Sequence, residues 1–270
     1  PVDLRAAVDD FARDLRTSRS ANTVGAYRLW ATAFAKGAPT DEALGRDSLQ
    51  RFAETLTRQE LAPRSVRLAV SAARKFLGWL ERHGVPVPPQ TKVETARPSD
   101  PERWTPTDFQ VRRLLEAASG VGQPFSTVIS LLPYTGMRIS EMLDLTFDDA
   151  EVRPDGVVIF SIRRAKNTRA RRVPLMREGA LLFRSYLLDG RPTLMGATQS
   201  PYLFPGQRQS YKRKSAEGQL RSLRDEIAMP FLTHHALRRW YVRTMRRRGA
   251  SDSDIAKIIG HSNLATFLDY

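Results

Sequence analysis

Residues 231–270 read FLTHHALRRWYVRTMRRRGASDSDIAKIIGHSNLATFLDY and hold three of the four histidines of the chain. Within this stretch His235 and Arg238 are three residues apart, which places both on one face of a predicted helix. That face combines a group able to transfer a proton with a guanidinium able to hold an anion. A pair of unrelated surface residues would have the same spacing, so the interpretation depends on companions elsewhere in the chain.

The end of the same stretch contains a predicted helix break. Gly260 is expected to end one helix, and Ser262 and Asn263 can cap a short helix that follows. On one continuous helix His261 and Tyr270 would lie on opposite faces. With the break they can converge, and Tyr270 becomes a candidate nucleophile for covalent chemistry at a phosphate. Considered alone, Tyr270 would more simply be a packed aromatic residue.

A second motif, TGMRISEMLDL at residues 135–145, repeats the same spacing. Arg138 and Glu141 follow a glycine turn, and the apolar residues around them are expected to bury the rest of a helix. A structural ion pair of little energetic weight is the alternative. If Arg138 and Arg238 approach one phosphate from different helices, their planar donors would clamp the extra charge of a pentacoordinate transition state.

A β-hairpin with a basic tip is predicted from residues 157–162 (VVIFSI) and 173–175 (VPL), which flank a polar, basic segment. Lys166 lies in that segment and is the only lysine between Lys92 and Lys212. An ammonium can donate a proton to a leaving alkoxide, whereas a guanidinium does so poorly. A solvated charge in a basic loop is the alternative for Lys166.

The chain divides into two predicted domains. Residues 1–85 carry four apolar stripes at helical spacing, and residues 86–100, which contain four prolines, are typical of an extended linker. Residues 101–270 form the second domain. The first hundred residues hold 16 basic and 12 acidic side chains and the rest hold 27 and 17, so the second domain is expected to contact a polyanion most closely.

Composition narrows the possible functions. The formal net charge of +14 and the sequence pI near 10.7 favour DNA or RNA as a partner, with a basic protein unrelated to nucleic acid as the alternative. The absence of cysteine excludes disulfides and thiolate metal sites. No apolar run approaches a membrane span and no signal peptide opens the chain, so we expect a cytoplasmic protein. Because the sequence starts without Met and ends on Tyr270, we expect that one or both termini have been trimmed.

These motifs, in the order R-x-x-E after T-G, a hairpin lysine, H-x-L-R-R and G-H-S-x-x-x-T-x-x-x-Y, resemble the tyrosine recombinase (phage integrase) family, including its Xer-type members. The four-helix part is similar to the core-binding, SAM-like domain of that family, and the rest is similar to its catalytic domain. The resemblance implies a mainly α-helical fold with a small β-hairpin in the catalytic domain, arranged as a two-domain DNA clamp. Family members usually continue past the tyrosine, and Arg239 stands where histidine is frequent.

Carried over to this sequence, the resemblance makes Tyr270 the nucleophile that forms a 3′-phosphotyrosyl bond. It implies that Arg138 and Arg238 hold the non-bridging oxygens and that His261 adds a hydrogen bond. Lys166 would protonate the departing 5′-hydroxyl, and His235 would assist proton transfer at Tyr270. Glu141 matches the acidic position that orients the site. We expect no metal and no cofactor.

The expected substrate is double-stranded DNA carrying a specific recombination site, on which the protein would assemble as a tetramer and exchange strands through a Holliday junction. We expect a nucleoid-associated location and no membrane partner. A type IB topoisomerase is the nearest chemical alternative, and an inactive DNA-binding module is the alternative from another class. Expected phosphate contacts are Arg64, Arg67, Arg74, Arg163, Arg164, Arg169, Arg171, Lys212, Lys214 and Arg239.

Overall fold

The structure, a computed structural model, describes residues 1–96, 104–163, 170–194, 196–206 and 209–260. The chain forms two compact units, Pro1–Pro101 and Glu102–Tyr270. Each unit has its own hydrophobic core, and each is considered by itself.

Four helices form the first unit: α1 (Leu4–Leu15), α2 (Ala21–Gly37), α3 (Ser48–Arg58) and α4 (Pro63–Arg82). They confirm the four helices predicted from the apolar stripes. Asp3 and Ser20 cap the first two helices, because each side chain accepts a hydrogen bond from a backbone N–H of the first turn. The four apolar faces meet in a core in which the rings of Phe11 and Phe76 lie 5.3 Å apart.

The segment after α4 is extended but held in place. Gln90 accepts a hydrogen bond from the Leu49 amide at 3.2 Å and donates to the Gly45 carbonyl at 3.0 Å. The Thr91 amide donates to the Arg46 carbonyl at 2.7 Å. The first part of the predicted linker at 86–100 is therefore bound to the first unit as far as Glu94, because its backbone and a glutamine side chain find partners there.

The second unit contains seven helices and a three-stranded sheet among its described residues. The elements are α5 (Asp108–Ser119), α6 (Phe125–Thr135), α7 (Ile139–Leu143), β1 (Ala150–Val152), β2 (Val158–Ile162), β3 (Arg171–Pro174), α8 (Arg177–Ser185), α9 (Arg213–Glu226), α10 (His234–Arg247) and α11 (Asp252–Ile259). Short 3-10 turns at Asp41–Ala43, Phe147–Asp149, Arg191–Thr193 and Ala197–Gln199 and a π turn at Tyr186–Gly190 complete the two units.

The sheet is antiparallel with the order β1-β2-β3, which confirms the predicted hairpin and adds one strand. Ile162 pairs with Arg171, and Phe160 pairs with Val173. The side chains of these four residues therefore lie on the same face of the sheet. Val173 and Phe160 are fully buried on this face, whereas Arg172, on the opposite face, is exposed. The alternation places Arg171 on the face of the sheet that faces the core.

Helix α6 lies at the centre of the second unit. All but one of its residues are buried, because α5, α8, α9 and α10 pack around it. At its end, Thr135 and Gly136 lead to α7. The packing of α6 thus fixes the position of the turn at Thr135 and Gly136, which precedes the predicted site residues Arg138 and Glu141.

Lys212 immediately precedes α9, and Lys214 lies in its first turn. Helix α7 is short and begins at Ile139, so Arg138 is the residue that precedes it. Within the ranges that the structure describes, no helix has both the length and the apolar character needed to cross a membrane.

Candidate active site

The Thr135–Gly136 turn joins α6 to α7. Thr135 Oγ1 donates to the Leu131 carbonyl at 3.0 Å and accepts from the Met137 amide at 3.3 Å. Gly136 has a left-handed φ of 61°, and a Cβ at this position would lie 2.4 Å from Cδ1 of Tyr241. Only glycine fits both the conformation and the space, and the turn directs the chain so that the next residues start α7.

Arg138 and Glu141 form the contact that their spacing predicts. Glu141 Oε2 accepts from the Arg138 amide at 3.0 Å, and Oε1 accepts from Arg138 Nη1, also at 3.0 Å. The Arg138 side chain is 33% exposed and that of Glu141 is 6% exposed. The buried carboxylate therefore fixes the start of α7 and directs a partly accessible guanidinium.

Arg171 is the second partner of Glu141. Its Nη1 and Nη2 donate to Oε1 and Oε2 at 3.2 and 2.7 Å, and its Nε donates to the carbonyl of Ile258 at 2.6 Å. Burial alone would raise the pKa of Glu141, but the hydrogen bonds and charge of Arg171, with those of Arg138, outweigh it and hold that pKa below its usual value. Glu141 is thus an anion between two guanidiniums.

Arg238 lies on α10 and is 1% exposed. Its Nη1 donates to the Gly136 carbonyl and its Nη2 to the Ile259 carbonyl, both at 2.6 Å. Arg238 therefore bridges the turn before Arg138 and the end of α11, although these segments are far apart in sequence. The two arginine motifs predicted to act together are brought into one site.

His235 lies one turn before Arg238, and its ring centroid is 4.5 Å from that of His234. Part of the His235 ring remains exposed. Its partial removal from water, followed by the neighbouring His234 and the charges of Arg238 and Arg138, lowers the pKa of His235 to about 4. At pH 7 the imidazole is neutral and can accept a proton or donate a hydrogen bond. The ring of His234 lies against that of His235.

The predicted phosphate contacts divide into accessible and occupied side chains. The exposed ones are Arg64, Arg67 and Arg74 on α4, and Lys212 and Lys214 at the start of α9. Arg163 is 69% exposed, while its Nε donates to Asp149 at 2.6 Å. Arg239 is half-buried and donates to the Trp104 carbonyl at 2.6 Å.

The position of Arg171 does not fit the predicted contact with DNA phosphate. Its side chain is 7% exposed and its guanidinium binds Glu141 and Ile258, because β3 directs it toward the core. The signal was present in the sequence: Arg171 and Val173 are two residues apart on a strand, so they share a face. The role of Arg171 as the partner of Glu141 was the functional feature that sequence reasoning missed.

Five predicted site residues lie outside the described residues: Arg164, Lys166, Arg169, His261 and Tyr270. The elements that flank them are described. In sequence, β2 and β3 flank the segment with Lys166. Helix α11 ends at Ile259 and Gly260 caps it with a left-handed φ of 73°, which confirms the predicted helix end.

The described part of the site suits an anionic ligand. It contains the guanidiniums of Arg138 and Arg238, a carboxylate that binds Arg138 and the buried Arg171, and a neutral imidazole. Guanidiniums with fixed planes are effective donors to phosphoryl oxygens. Across the ranges described, no three His, Asp or Glu side chains come together in a way that could hold a metal ion.

Comparison with known proteins places the chain in a family. The model of the phage integrase family matches residues 106–270, and that of the phage integrase N-terminal SAM-like domain matches residues 8–84. Tyrosine recombinase XerD of Haemophilus influenzae is 29% identical over 277 residues, covering 97% of this chain and 91% of the relative. Tyrosine recombinase XerC of Roseiflexus sp. is 27% identical, covering 96% and 86%.

Solved structures agree with this assignment. The XerA recombinase is 25% identical, with a TM-score of 0.55 and coverage of 99% of this chain and 93% of that one. The integrase of transposon Tn1549, solved with transposon right end DNA, shares the fold at a TM-score of 0.76 and 16% identity, with coverage of 99% and 94%. The chain therefore belongs to the phage integrase family and is an Xer-like tyrosine recombinase.

Proposed function

We propose that this protein cleaves and rejoins double-stranded DNA at a specific site through a 3′-phosphotyrosyl intermediate. The observation that carries the proposal is that Arg238 donates to the carbonyl of Gly136, in the turn that leads to Arg138. Glu141 holds the Arg138 guanidinium, and two backbone carbonyls hold that of Arg238. Such fixed donors stabilise the charge that develops on a phosphoryl group during substitution, and they require little reorganisation at the moment of reaction.

In the proposed reaction the phenolic oxygen of Tyr270 attacks the scissile phosphorus. The bond between phosphorus and the 5′-oxygen breaks, and the departing 5′-hydroxyl takes its proton from Lys166. Arg138, Arg238 and His261 bind the non-bridging oxygens, and His235 accepts the phenolic proton. His235 is neutral at pH 7, so one of its ring nitrogens can accept a proton.

The covalent intermediate keeps the energy of the original phosphodiester bond. A 5′-hydroxyl from a second duplex can therefore attack it and restore a phosphodiester without a separate energy source. We propose that four copies on two DNA sites carry out this exchange through a Holliday junction, in the cytoplasm and in association with the nucleoid. The exposed arginines of α4 and the lysines that begin α9 would bind DNA phosphates.

A pooled DNA experiment tests the proposal. Duplexes with a randomised central segment are incubated with the protein, and DNA that remains attached after denaturation is sequenced. One recurring site is expected from the wild-type chain, and no attached DNA from Tyr270→Phe. Tyr202→Phe is the matched control and should leave the yield unchanged. Attached DNA in the Tyr270→Phe sample would contradict the assigned nucleophile, and attachment without sequence preference would favour a topoisomerase.

A further inference from the structure

One buried side chain links segments that the proposed reaction uses. Arg171 on β3 makes three hydrogen-bonded contacts to protein through its guanidinium: two to Glu141 and one to the carbonyl of Ile258. Glu141 holds Arg138, and Ile258 lies in the last turn of α11, just before Gly260. The guanidinium plane is therefore fixed at one edge by a carboxylate and at Nε by a helix end.

The end of α11 is built around this contact. The last carbonyls of a helix have no partner within the helix, and here Arg171 and Arg238 bind the consecutive carbonyls of Ile258 and Ile259. A Cβ at Gly260 would lie 2.8 Å from Nη1 of Arg171. The glycine thus leaves room for the guanidinium as well as ending the helix.

We infer that Arg171 is a positioning residue for the proposed recombination reaction, because its guanidinium holds Arg138, through Glu141, at a fixed place relative to the carboxyl end of α11. Arg171 contacts no substrate in this role. The inference rests on the proposed function, since it concerns the place of Arg138 at the scissile phosphate.

The chemistry of the contact predicts that lysine cannot replace this arginine. An ammonium is a single point of donation, whereas the planar guanidinium binds both carboxylate oxygens and a carbonyl on another side at once. Arg171→Lys would keep the positive charge beside Glu141 and lose the simultaneous link to Ile258. Burial and charge neutralisation are thus largely retained, and the geometric link is removed.

Arg172 provides a matched control on the same strand. It is the next residue of β3, but it is exposed on the opposite face and pairs with Glu151 at the surface. Arg171→Lys and Arg172→Lys therefore make the same chemical change one residue apart. Thermal unfolding of both variants checks that each is folded at the temperature of the assay.

The test compares cleavage of two substrates under single-turnover conditions. One is the duplex recovered from the randomised pool, and the other is the same duplex with a neutral methylphosphonate at the scissile position. Misplacement of Arg138 should slow adduct formation on the normal duplex on the order of 10- to 100-fold. The loss on the methylphosphonate should be under about 3-fold, because that substrate lacks the charge that Arg138 neutralises. DNA affinity should change less than about 2-fold.

Arg172→Lys should match the wild-type chain on both substrates. Equal rates for Arg171→Lys and Arg172→Lys would overturn the inference. An equal loss of rate on the two substrates would also overturn it, because a merely destabilised protein would cleave the normal and the methylphosphonate duplex with the same loss. Failure of the proposed function has a different result, because the wild-type chain itself would then form no adduct.

A measurement without DNA tests the link to α11 separately. Hydrogen–deuterium exchange of residues 252–260 should be faster in Arg171→Lys than in the wild-type chain and unchanged in Arg172→Lys. Unchanged exchange in Arg171→Lys would contradict the proposed link whatever the activity of the protein.

Discussion

Two groups of arginines in this chain differ in how they are held. On α4 of the first unit, Arg64, Arg67 and Arg74 are exposed, and within the described part of the chain they have no ion-pair partner. In the second unit Arg138, Arg171 and Arg238 have fixed partners: Glu141, the Ile258 carbonyl and the Gly136 carbonyl among them.

This difference implies that the two groups contribute to different properties of the protein, DNA affinity and the rate of DNA cleavage. An exposed arginine adds to the attraction for a polyanion, but it is not oriented for chemistry at one phosphate. A guanidinium with fixed hydrogen bonds is oriented before the substrate arrives. We therefore expect substitutions in the first group to change DNA binding, and substitutions in the second group to change the rate of cleavage.

The largest effect is expected at Arg238. Arg238→Lys removes the planar bridge between Gly136 and Ile259, and single-turnover adduct formation should fall by about 10²- to 10³-fold with little change in DNA affinity. Arg246→Lys is the control, because Arg246 lies on the same helix and pairs with Asp252. A parallel loss of rate in both variants would show that α10 is sensitive throughout, and the contrast between the two arginine groups would fail.

Gly136→Ala tests how rigid the second group is. A Cβ there meets the Tyr241 ring at 2.4 Å, so overpacking of about 1–3 kcal/mol should add to a left-handed backbone cost of about 1–2 kcal/mol. Gly249→Ala has a φ of 85° with open space around it, and should show the backbone cost alone. Equilibrium urea unfolding measures the loss of stability in both variants. Equal losses would mean that the turn at Gly136 can move to accommodate the added Cβ.

The exposed group is tested by salt dependence. When Arg64, Arg67 and Arg74 are replaced together by Ala, the plot of log K against log salt should become less steep by about 0.9 for each phosphate that these arginines neutralise. Adduct formation at saturating protein should keep its rate. Arg13→Ala with Arg28→Ala is the control in the same unit, since these two arginines pair with Asp10 and Asp9. A reduced rate in the triple variant at saturation would remove the proposed division of roles.

The smallest effect concerns acid stability and His235. Its pKa is about 4 in the folded chain and near its ordinary value of about 6.5 when unfolded, so protons bind the unfolded chain preferentially between these values. Stability should therefore fall as the pH is lowered from about 6.5 to about 4. In His235→Gln this decline should be shallower. Parallel curves of unfolding free energy against pH would contradict the lowered pKa of this partly exposed imidazole beside His234, Arg238 and Arg138.

The helices and the hairpin were predictable because local patterns determine them. The α4 stripe, the Ser20 cap and the β2–β3 pairing follow from apolar periodicity, capping and β-branched runs. The Arg138–Glu141 contact was predictable because it lies within one turn of a helix. In each case the partners are close in sequence, so their spacing decides their contact.

The partner of Glu141 was not predicted, because it comes from another element. Arg171 is one of many arginines around the hairpin, and charge alone does not distinguish a buried side chain from an exposed one. Strand alternation would have identified its inward direction, but the choice of Glu141 and Ile258 depends on how β3 packs against α7 and α11. Similarly, the docked position of residues 86–94 depends on Gln90 reaching the start of α3.

The chemistry of the protein–DNA bond tests the central claim most directly. DNA attached to the wild-type chain is digested, and the linked peptide is identified by tandem mass spectrometry together with the chemical state of both DNA ends. The predicted result is a 3′-phosphate linked to Tyr270 and a free 5′-hydroxyl on the other fragment. Linkage to another residue, or cleaved DNA with 3′-hydroxyl and 5′-phosphate ends, would contradict a site in which Arg138 and Arg238 serve a tyrosine nucleophile.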